Sequence, residues 1–143
     1  MKRLISIAML ALLLCSVSFA QDDAAKKKAA QASAESWMAL VDAGDYAQSW
    51  DQAASFFKGK VSKADWEKMV GSVRNQVGKS ENRMLASAQY TTKLPGAPDG
   101  EYVVIQYKSA FANQPTAIET IVPMLDKDGK WHVSGYFIKP AEQ

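Results

Sequence analysis

The sequence predicts an α+β fold in which three N-terminal helices pack on a curved, four-stranded antiparallel sheet of cone-like shape. Residues 22–78 are rich in Ala, Lys, Asp and Ser, and their apolar residues recur at helical spacing. Residues 83–139 are instead rich in Val, Ile, Thr, Tyr and Phe, at the spacing of strands. A run of helices followed by a run of strands is typical of the α+β class.

The start of the chain is a segment of a different kind. Two basic residues precede an almost unbroken apolar run over residues 4–14. Ser18 and Ala20 then place small side chains at the two positions that signal peptidase requires. We therefore predict a signal peptide over residues 1–20, cleaved before Gln21, and a protein that works in the periplasm or outside the cell.

Removal of this signal changes both the charge and the cysteine content of the chain. Residues 21–143, which we expect to form one α+β domain, hold 15 basic and 15 acidic residues, because Lys2 and Arg3 leave with the signal. A neutral domain gives no reason to expect a nucleic-acid partner. The single cysteine, Cys15, leaves as well, and the bulky Leu14 before it argues against lipid attachment. Membrane contact is thus expected only through the uncleaved signal.

The three predicted helices have recognisable ends. The first is expected over about Asp23–Asp42, and the second from Asp45 to its end at Gly59. The third begins at Ser62, which heads a capping box with Asp as its acid, and ends at Gly78. Each helix carries an apolar stripe that includes one tryptophan: Trp37 with Met38, Trp50 with Phe57, and Trp66 with Met69, Val70 and Val73.

Four strands follow, over about Met84–Thr92, Glu101–Ala112, Thr116–Leu125 and Lys130–Lys139. The last two are joined by a tight hairpin over residues 126–129, where Gly supplies the positive φ that such turns need. On the first strand, alternation places Met84, Ala86, Ala88 and Tyr90 on one face.

Two residues disturb the last two strands. Pro123 lacks a donor for the sheet, so it is expected at a bulge or an edge. Gly135 lies inside the fourth strand, where a bulge would reverse the direction of the side chains. Such a bulge would bring four apolar side chains onto the inner face, namely Trp131, Val133, Tyr136 and Ile138.

Several motifs together resemble the bacterial family labelled domain of unknown function 4019. They are Gly44-Asp45-Tyr46, the Ser62–Trp66 helix start, the Asp99–Tyr107 strand and the Met124–Tyr136 hairpin. The resemblance covers roughly residues 30–139 and implies no catalytic residues. The order of helices and strands is also similar to the nuclear-transport-factor-2-like cone, which implies a sheet wrapped around helices, sometimes with a cavity between them. That cone carries many unrelated functions.

Few side chains are candidates for chemistry. His132 is the only histidine, and with no cysteine left in the mature chain we expect neither a metal nor a cofactor site. Glu101 and Glu119 lie on neighbouring predicted strands, and the simplest interpretation is a solvent-facing pair near Lys108. If a pocket exists, three residues become candidates for general acid–base catalysis: His132, Glu119 and Tyr107.

The leading hypothesis is a non-enzymatic exported domain that binds a small ligand or a partner protein. One alternative is a cofactor-free hydrolase, dehydratase or isomerase, which requires an enclosed pocket with an inward-facing His132 or glutamate. Another is a structural envelope protein, which requires a filled interior and an exposed apolar patch. The helix tryptophans discriminate among these, since they either fill the interior or line a cavity.

Overall fold

A computed structural model describes residues 11–141 of the chain. Within that range four helices precede four strands, which confirms the α+β class. The helices are α1 (Ala11–Ala43), α2 (Tyr46–Asp51), α3 (Ser55–Lys60) and α4 (Lys63–Val77). The strands are β1 (Ser80–Thr91), β2 (Tyr102–Phe111), β3 (Gln114–Leu125) and β4 (Trp131–Pro140).

The strands form one antiparallel sheet in the order β1-β2-β3-β4, so each strand pairs with its neighbours in sequence. One face, which we call the inner face, packs on α1 and α4 and forms the main core. On β2 and β3 the inner face carries the odd-numbered residues, such as Val103, Ile105 and Ile121, because successive side chains alternate. This alternation decides where every candidate residue of the sheet points.

The second predicted helix is in fact two short helices, which is why the described residues hold four helices and not three. The break falls at Ala53 and Ala54, where the backbone N–H of Ala54 donates to the carbonyl of Val133 on the edge strand β4, at 2.8 Å. This hydrogen bond joins two distant segments, so no local pattern predicts it. Gly59 does not end a helix and lies inside α3.

Helix α1 also begins earlier than predicted, since it runs without a break from Ala11. The apolar segment before Asp23 contains no helix breaker, so it continues the same helix. Residues 19–22 are all exposed, and from residue 19 onward the first buried side chain of α1 is Ala30. Within residues 19–43, the buried part of α1 therefore starts after the predicted cleavage site. Within residues 11–141, no helix combines the length and hydropathy that a membrane span requires.

A bulge in β1 corrects the predicted facing of that strand. The pairing with β2 shifts between Leu85 and Ser87, so the side chains before and after this point alternate out of phase. Ala88 and Tyr90 pack on the main core as expected, whereas Met84 points to the opposite face and is 58% exposed.

The predicted irregularity near Pro123 and Gly135 is confirmed. The β3–β4 register shifts between Val122 and Pro123, which leaves Ser134 as the extra residue of β4. Val133 is consequently buried in the main core, and Trp131 and Tyr136 pack against it from the same strand.

The predicted helix ends at Ser62, Gly44 and Gly78 are confirmed. Ser62 Oγ accepts a hydrogen bond from the N–H of Asp65 at the start of α4. Gly44 and Gly78, at the ends of α1 and α4, both have φ +81°.

The helix tryptophans fill the interior. Trp37 and Trp66 are 3% and 5% exposed, and their ring centroids lie 5.7 Å apart. Ser49 holds both indoles: its carbonyl accepts from Trp37 Nε1 at 2.7 Å, and its hydroxyl accepts from Trp66 Nε1 at 2.9 Å. Two predicted core residues of α4 are wrong, because Met69 and Val73 are 50% and 39% exposed. The buried stripe instead contains Trp66, Val70 and Arg74, one turn apart along the helix.

The β3–β4 hairpin caps helix α3 from a distance. The Asp126 carboxylate accepts from both the backbone N–H and the hydroxyl of Ser55, at 2.7 and 2.6 Å. The Ser55 hydroxyl, followed by its N–H, lowers the pKa of Asp126 to about 2. Because this value lies below the unfolded value of about 3.9, the stabilisation is present above pH ~4. It is lost as the pH falls towards 2.

We expect Asp126→Asn to lower the free energy of unfolding by about 1 kcal/mol at pH 6, the usual value of a helix cap. At pH 2 about half of the wild-type carboxyl is protonated in the folded protein, so the difference between the two proteins shrinks. Urea unfolding of both proteins at the two pH values measures this. An equal difference at both would contradict the cap.

Candidate functional site

The most elaborate arrangement of polar side chains lies between the helices and one end of the sheet. Arg83 of β1 donates through Nε and Nη2 to the two oxygens of Glu119, at 2.6 and 3.0 Å. Its Nη1 and Nη2 also donate to the two oxygens of Asp42, at 2.5 and 2.9 Å. Asp42 accepts a further hydrogen bond from Arg74 Nη1 at 2.8 Å. The result is a chain of alternating charges. We call these four charged residues, together with the hydroxyl residues Ser109 and Tyr136, the polar network.

The network leaves Glu119 no free acceptor position. Glu119 is fully buried and accepts four hydrogen bonds, two from Arg83 and one each from Ser109 (2.8 Å) and Tyr136 (2.5 Å). Two carboxylates face two guanidiniums, so the network is neutral overall. A buried charge is tolerated when it is paired and hydrogen-bonded in this way. The arrangement therefore fixes α1, α4 and the sheet relative to one another.

The pKa shifts in the network stabilise these charges. Burial acts to raise the pKa of Asp42, but the guanidiniums of Arg83 and Arg74 outweigh it and hold that pKa below its usual value. Burial acts to lower the pKa of Arg83, and the two carboxylates reverse the effect and raise it. Burial, followed by the charge of Glu119, raises the pKa of Tyr136. Asp42 and Arg83 thus stay charged, and Tyr136 stays neutral, across the physiological pH range.

The predicted pairing of Glu101 with Glu119 near Lys108 is wrong. Glu101 lies outside the network and pairs with Lys26 of α1, at 2.7 Å, while Tyr90 donates its hydroxyl to the same carboxylate at 2.8 Å. Lys108 lies opposite Ile118 in the register, on the face of the sheet away from Glu119. Alternation along β3 explains the error, because residue 119 shares the inner face with Ala117 and Ile121.

Of the three candidate catalytic residues, the structure brings two together. Tyr107 and Glu119 are Cα partners across β2 and β3, and both side chains are buried. The Tyr107 hydroxyl has no hydrogen-bond partner within residues 11–141. Burial raises the pKa of Tyr107 to about 12, and the charge of Glu35 adds to the shift.

His132 lies elsewhere, near the hairpin. Its Nδ1 is 3.1 Å from the carbonyl of Gln52 and its Nε2 is 2.8 Å from the Asp128 carboxylate. Both partners are acceptors, and they fix the ring against the α2–α3 connection. Neither the groove on the sheet nor the groove beside α4 is lined by His132, Glu119 or Tyr107. Within residues 11–141, no cluster of three or more metal-ligating side chains occurs.

The face of the sheet opposite the main core is covered along only half of its length. At one end a second cluster packs on it, formed by Tyr102, Val122 and Met124 under Ala54 and residues 94–97. The other end is a groove of about 980 Å³. We call it the open face, and its side chains are Met84, Gln106, Lys108, Ile118, Thr120, Phe137 and Lys139.

The open face is both apolar and cationic. Met84, Lys108, Ile118 and Lys139 form one continuous row across the four strands, in that order. Met84 and Phe137 are 58% and 57% exposed. Among the residues that the structure describes, no acidic side chain lines the groove. Within residues 11–141, neither lysine of the row has a carboxylate within salt-bridge distance.

Gly135 determines how the Phe137 ring lies in this groove. A Cβ at position 135 would meet the ring at 3.3 Å, closer than ordinary van der Waals contact. The ring therefore lies across the glycine backbone and stays on the sheet surface, where an aromatic side chain commonly covers a strand glycine. The Gly135 that sequence analysis linked to a bulge thus has this additional role.

Sequence analysis missed most of the polar network and the whole open face. A signal for the network existed: Glu119 has the same parity as buried strand residues, and Arg74 follows Trp66 and Val70 on the buried stripe of α4. The open face had a weaker signal, since Lys108 and Lys139 alternate with core residues as any solvent-facing lysine does.

Comparison with known proteins identifies the family and nothing further. No curated protein matches the chain. The model of one family, described as a protein of unknown function (DUF4019), matches residues 33–136. These residues span α1 from its first buried turns to the middle of β4 and include the whole polar network. The match covers more than half of the chain, and the chain therefore belongs to the DUF4019 family.

Proposed function

We propose that this is an exported, non-catalytic binding protein whose open face receives a small apolar ligand. The observation that carries the proposal is the half-covered outer face of the sheet, where Met84 and Phe137 stay exposed in a groove. Sheets in compact domains ordinarily bury their apolar positions against another layer. The volume of the groove on the open face is at the upper end of the range of small-molecule sites, roughly 300–1,000 Å³.

The candidate catalytic side chains favour a binding role over an enzymatic one. Glu119 has all its acceptor positions occupied, and a general base needs a free one within reach of the substrate proton. His132 is held by Gln52 and Asp128 on a different part of the sheet. The helix tryptophans fill the interior, which leaves the outer face as the binding surface.

Export is supported by the sequence of residues 1–20 and by the path of α1. Residues 19–22 are exposed, so cleavage before Gln21 removes no buried side chain from this part of the helix. Cleavage would also place Asp22 and Asp23 in the first turn of α1, where the helix dipole favours acidic residues. We expect N-terminal sequencing of the exported protein to begin at Gln21. A membrane-bound product that retains Met1 would contradict cleavage.

We further propose that the fold is a variant of the nuclear-transport-factor-2-like cone. Helices α1 and α4 pack on one face of an antiparallel sheet, and bulges in β1 and β4 interrupt its outer strands. Bulges increase local twist and bend a sheet around what it covers. In this proposal the tryptophans fill the cone interior.

The binding surface is testable with N-phenyl-1-naphthylamine, an uncharged apolar probe that fluoresces when bound. The protein is purified after expression of the full chain. We expect saturable binding by the wild type and about fivefold to thirtyfold weaker binding by Met84→Ser/Phe137→Ser. Removing two half-buried apolar side chains costs about 1–2 kcal/mol of contact, and 1.4 kcal/mol corresponds to tenfold.

The matched control is Met69→Ser/Val73→Ser. It removes two similarly exposed apolar side chains from the α4 groove, which also contains Asp65. Binding that survives this control but not the first double variant supports the open face. Probe binding that depends on Met69 and Val73, or no saturable binding at all, overturns the proposal.

A further inference from the structure

We propose that the ligand of the open face is a free, single-chain anionic amphiphile, with a carboxylate or phosphate head and an apolar tail. This inference rests on the proposed function and specifies the chemistry of the ligand. It is carried by the row Met84, Lys108, Ile118, Lys139, in which two lysines alternate with two apolar residues. The adjacent row on the same face is Gln106, Thr120 and Phe137.

The two lysines are placed to share one head group. They are separated by a single strand, so their Cα atoms lie about 10 Å apart. Ile118 lies between them in the row. Lysine side chains are long and flexible, and both ammonium groups can converge on an anion held above Ile118. Because the described lining of the groove contains no carboxylate, an anion meets no repulsion from these residues.

The apolar side chains provide the site for the tail. Phe137 lies two residues from Lys139 on the same strand and face, with its ring against Gly135. The polar groups beside it, from Gln106 and Thr120, are uncharged. A tail lying from Ile118 to Phe137 removes apolar surface from water on both partners, at roughly 25 cal/mol per Å².

The size and charge of the face argue against two other occupants. From Met84 to Lys139 the face spans three strand spacings, about 14 Å, and along β3 the groove runs from Thr116 to Thr120, about 13 Å, which gives about 200 Å². A stable protein interface needs about 800 Å² on each partner. A second copy of this chain would bring Lys108 and Lys139 against identical lysines, which is repulsive.

Competition against N-phenyl-1-naphthylamine tests the head group with three ten-carbon amphiphiles below their micelle concentrations. These are decanoate, decyltrimethylammonium and decyl maltoside. We expect decanoate to displace the probe at about tenfold lower concentration than either of the others, with an advantage that decreases as salt is added. We expect Lys108→Glu/Lys139→Glu to lose this preference. The control Lys127→Glu/Lys130→Glu makes the same charge change on the exposed hairpin and should retain it.

The outcomes separate this inference from the proposed function. Equal displacement by all three amphiphiles overturns the anionic head while the apolar binding surface stands. A preference for decanoate that the hairpin control also loses overturns the assignment to Lys108 and Lys139. If decanoate fails to compete and the protein sediments with phosphatidylglycerol vesicles, the proposal of a free amphiphile is overturned in favour of a membrane surface. Failure of the probe itself to bind overturns both proposals.

Discussion

Replacing Arg83 by methionine is expected to lower the free energy of unfolding by about 3–5 kcal/mol, the usual cost of removing one partner of a buried ion pair. Among residues 11–141, Arg83 alone donates hydrogen bonds to both carboxylates of the polar network. Without it, the fully buried Glu119 keeps only the hydroxyls of Ser109 and Tyr136. Its charge is then no longer balanced, whereas Asp42 retains Arg74.

Two controls identify the cause of this loss. The double variant Arg83→Met/Glu119→Leu removes both charges, so we expect it to recover at least half of the lost stability. Lys63→Met removes an equally short but exposed ion pair with Asp51, at 2.7 Å, and should change stability by less than about 1 kcal/mol. Urea unfolding measures all three variants. If Arg83→Met costs no more than Lys63→Met, the network does not hold the layers together.

Replacing Trp37 by alanine is expected to cost a similar amount, about 3–5 kcal/mol, because it leaves a large cavity in the main core. The ring lies 5.7 Å from Trp66 and 5.3 Å from Tyr136, in a tilted and an edge-on arrangement. Its Nε1 donates to the carbonyl of Ser49, which the variant leaves without that donor.

Comparison with Trp50→Ala and Trp37→Phe separates the parts of this effect. Trp50 is partly exposed and packs at the margin of the core, so its replacement should cost less. Trp37→Phe keeps most of the apolar volume and loses the hydrogen bond, so its loss of stability should lie between those of Trp50→Ala and Trp37→Ala. Thermal or urea unfolding gives the order of the three. If Trp50→Ala is the most destabilising, the assignment of Trp37 to the centre of the core is wrong.

The sequence allowed the prediction of those elements whose signals are local. The hairpin at Asp126–Gly129, the Ser62 cap and the period-two pattern of β2 each depend on residues close together in the chain. The bulge at Pro123 and Gly135 was predictable because proline lacks a donor and glycine tolerates close contact.

Features that depend on distant contacts were not predictable. The break between α2 and α3 reflects the hydrogen bond from Ala54 to Val133, which joins residues far apart in sequence. From the sequence alone Glu119 looks like an exposed acid, because nothing nearby in the chain indicates that Arg83 of β1 donates a hydrogen bond to it. Met84 has the pattern of a core residue, and the β1 bulge turns it outward.

The open face also depends on contacts between distant residues, so it was not predicted from the sequence. Its row takes one residue from each of four strands, and the register that aligns Lys108 with Lys139 is fixed by pairings along the whole sheet. An exposed lysine at each of these positions looks ordinary in isolation. The row becomes notable because this half of the sheet is uncovered, which depends on where α3 and residues 94–97 pack.

The central claim is that the open face binds an apolar ligand, and amide chemical-shift mapping with N-phenyl-1-naphthylamine tests it most directly. The account predicts that the largest shifts fall on Lys108, Ile118 and Phe137 and on their neighbours in the sheet, with little change in α4. Shifts concentrated around Met69 and Val73, or spread evenly over the protein, would contradict it.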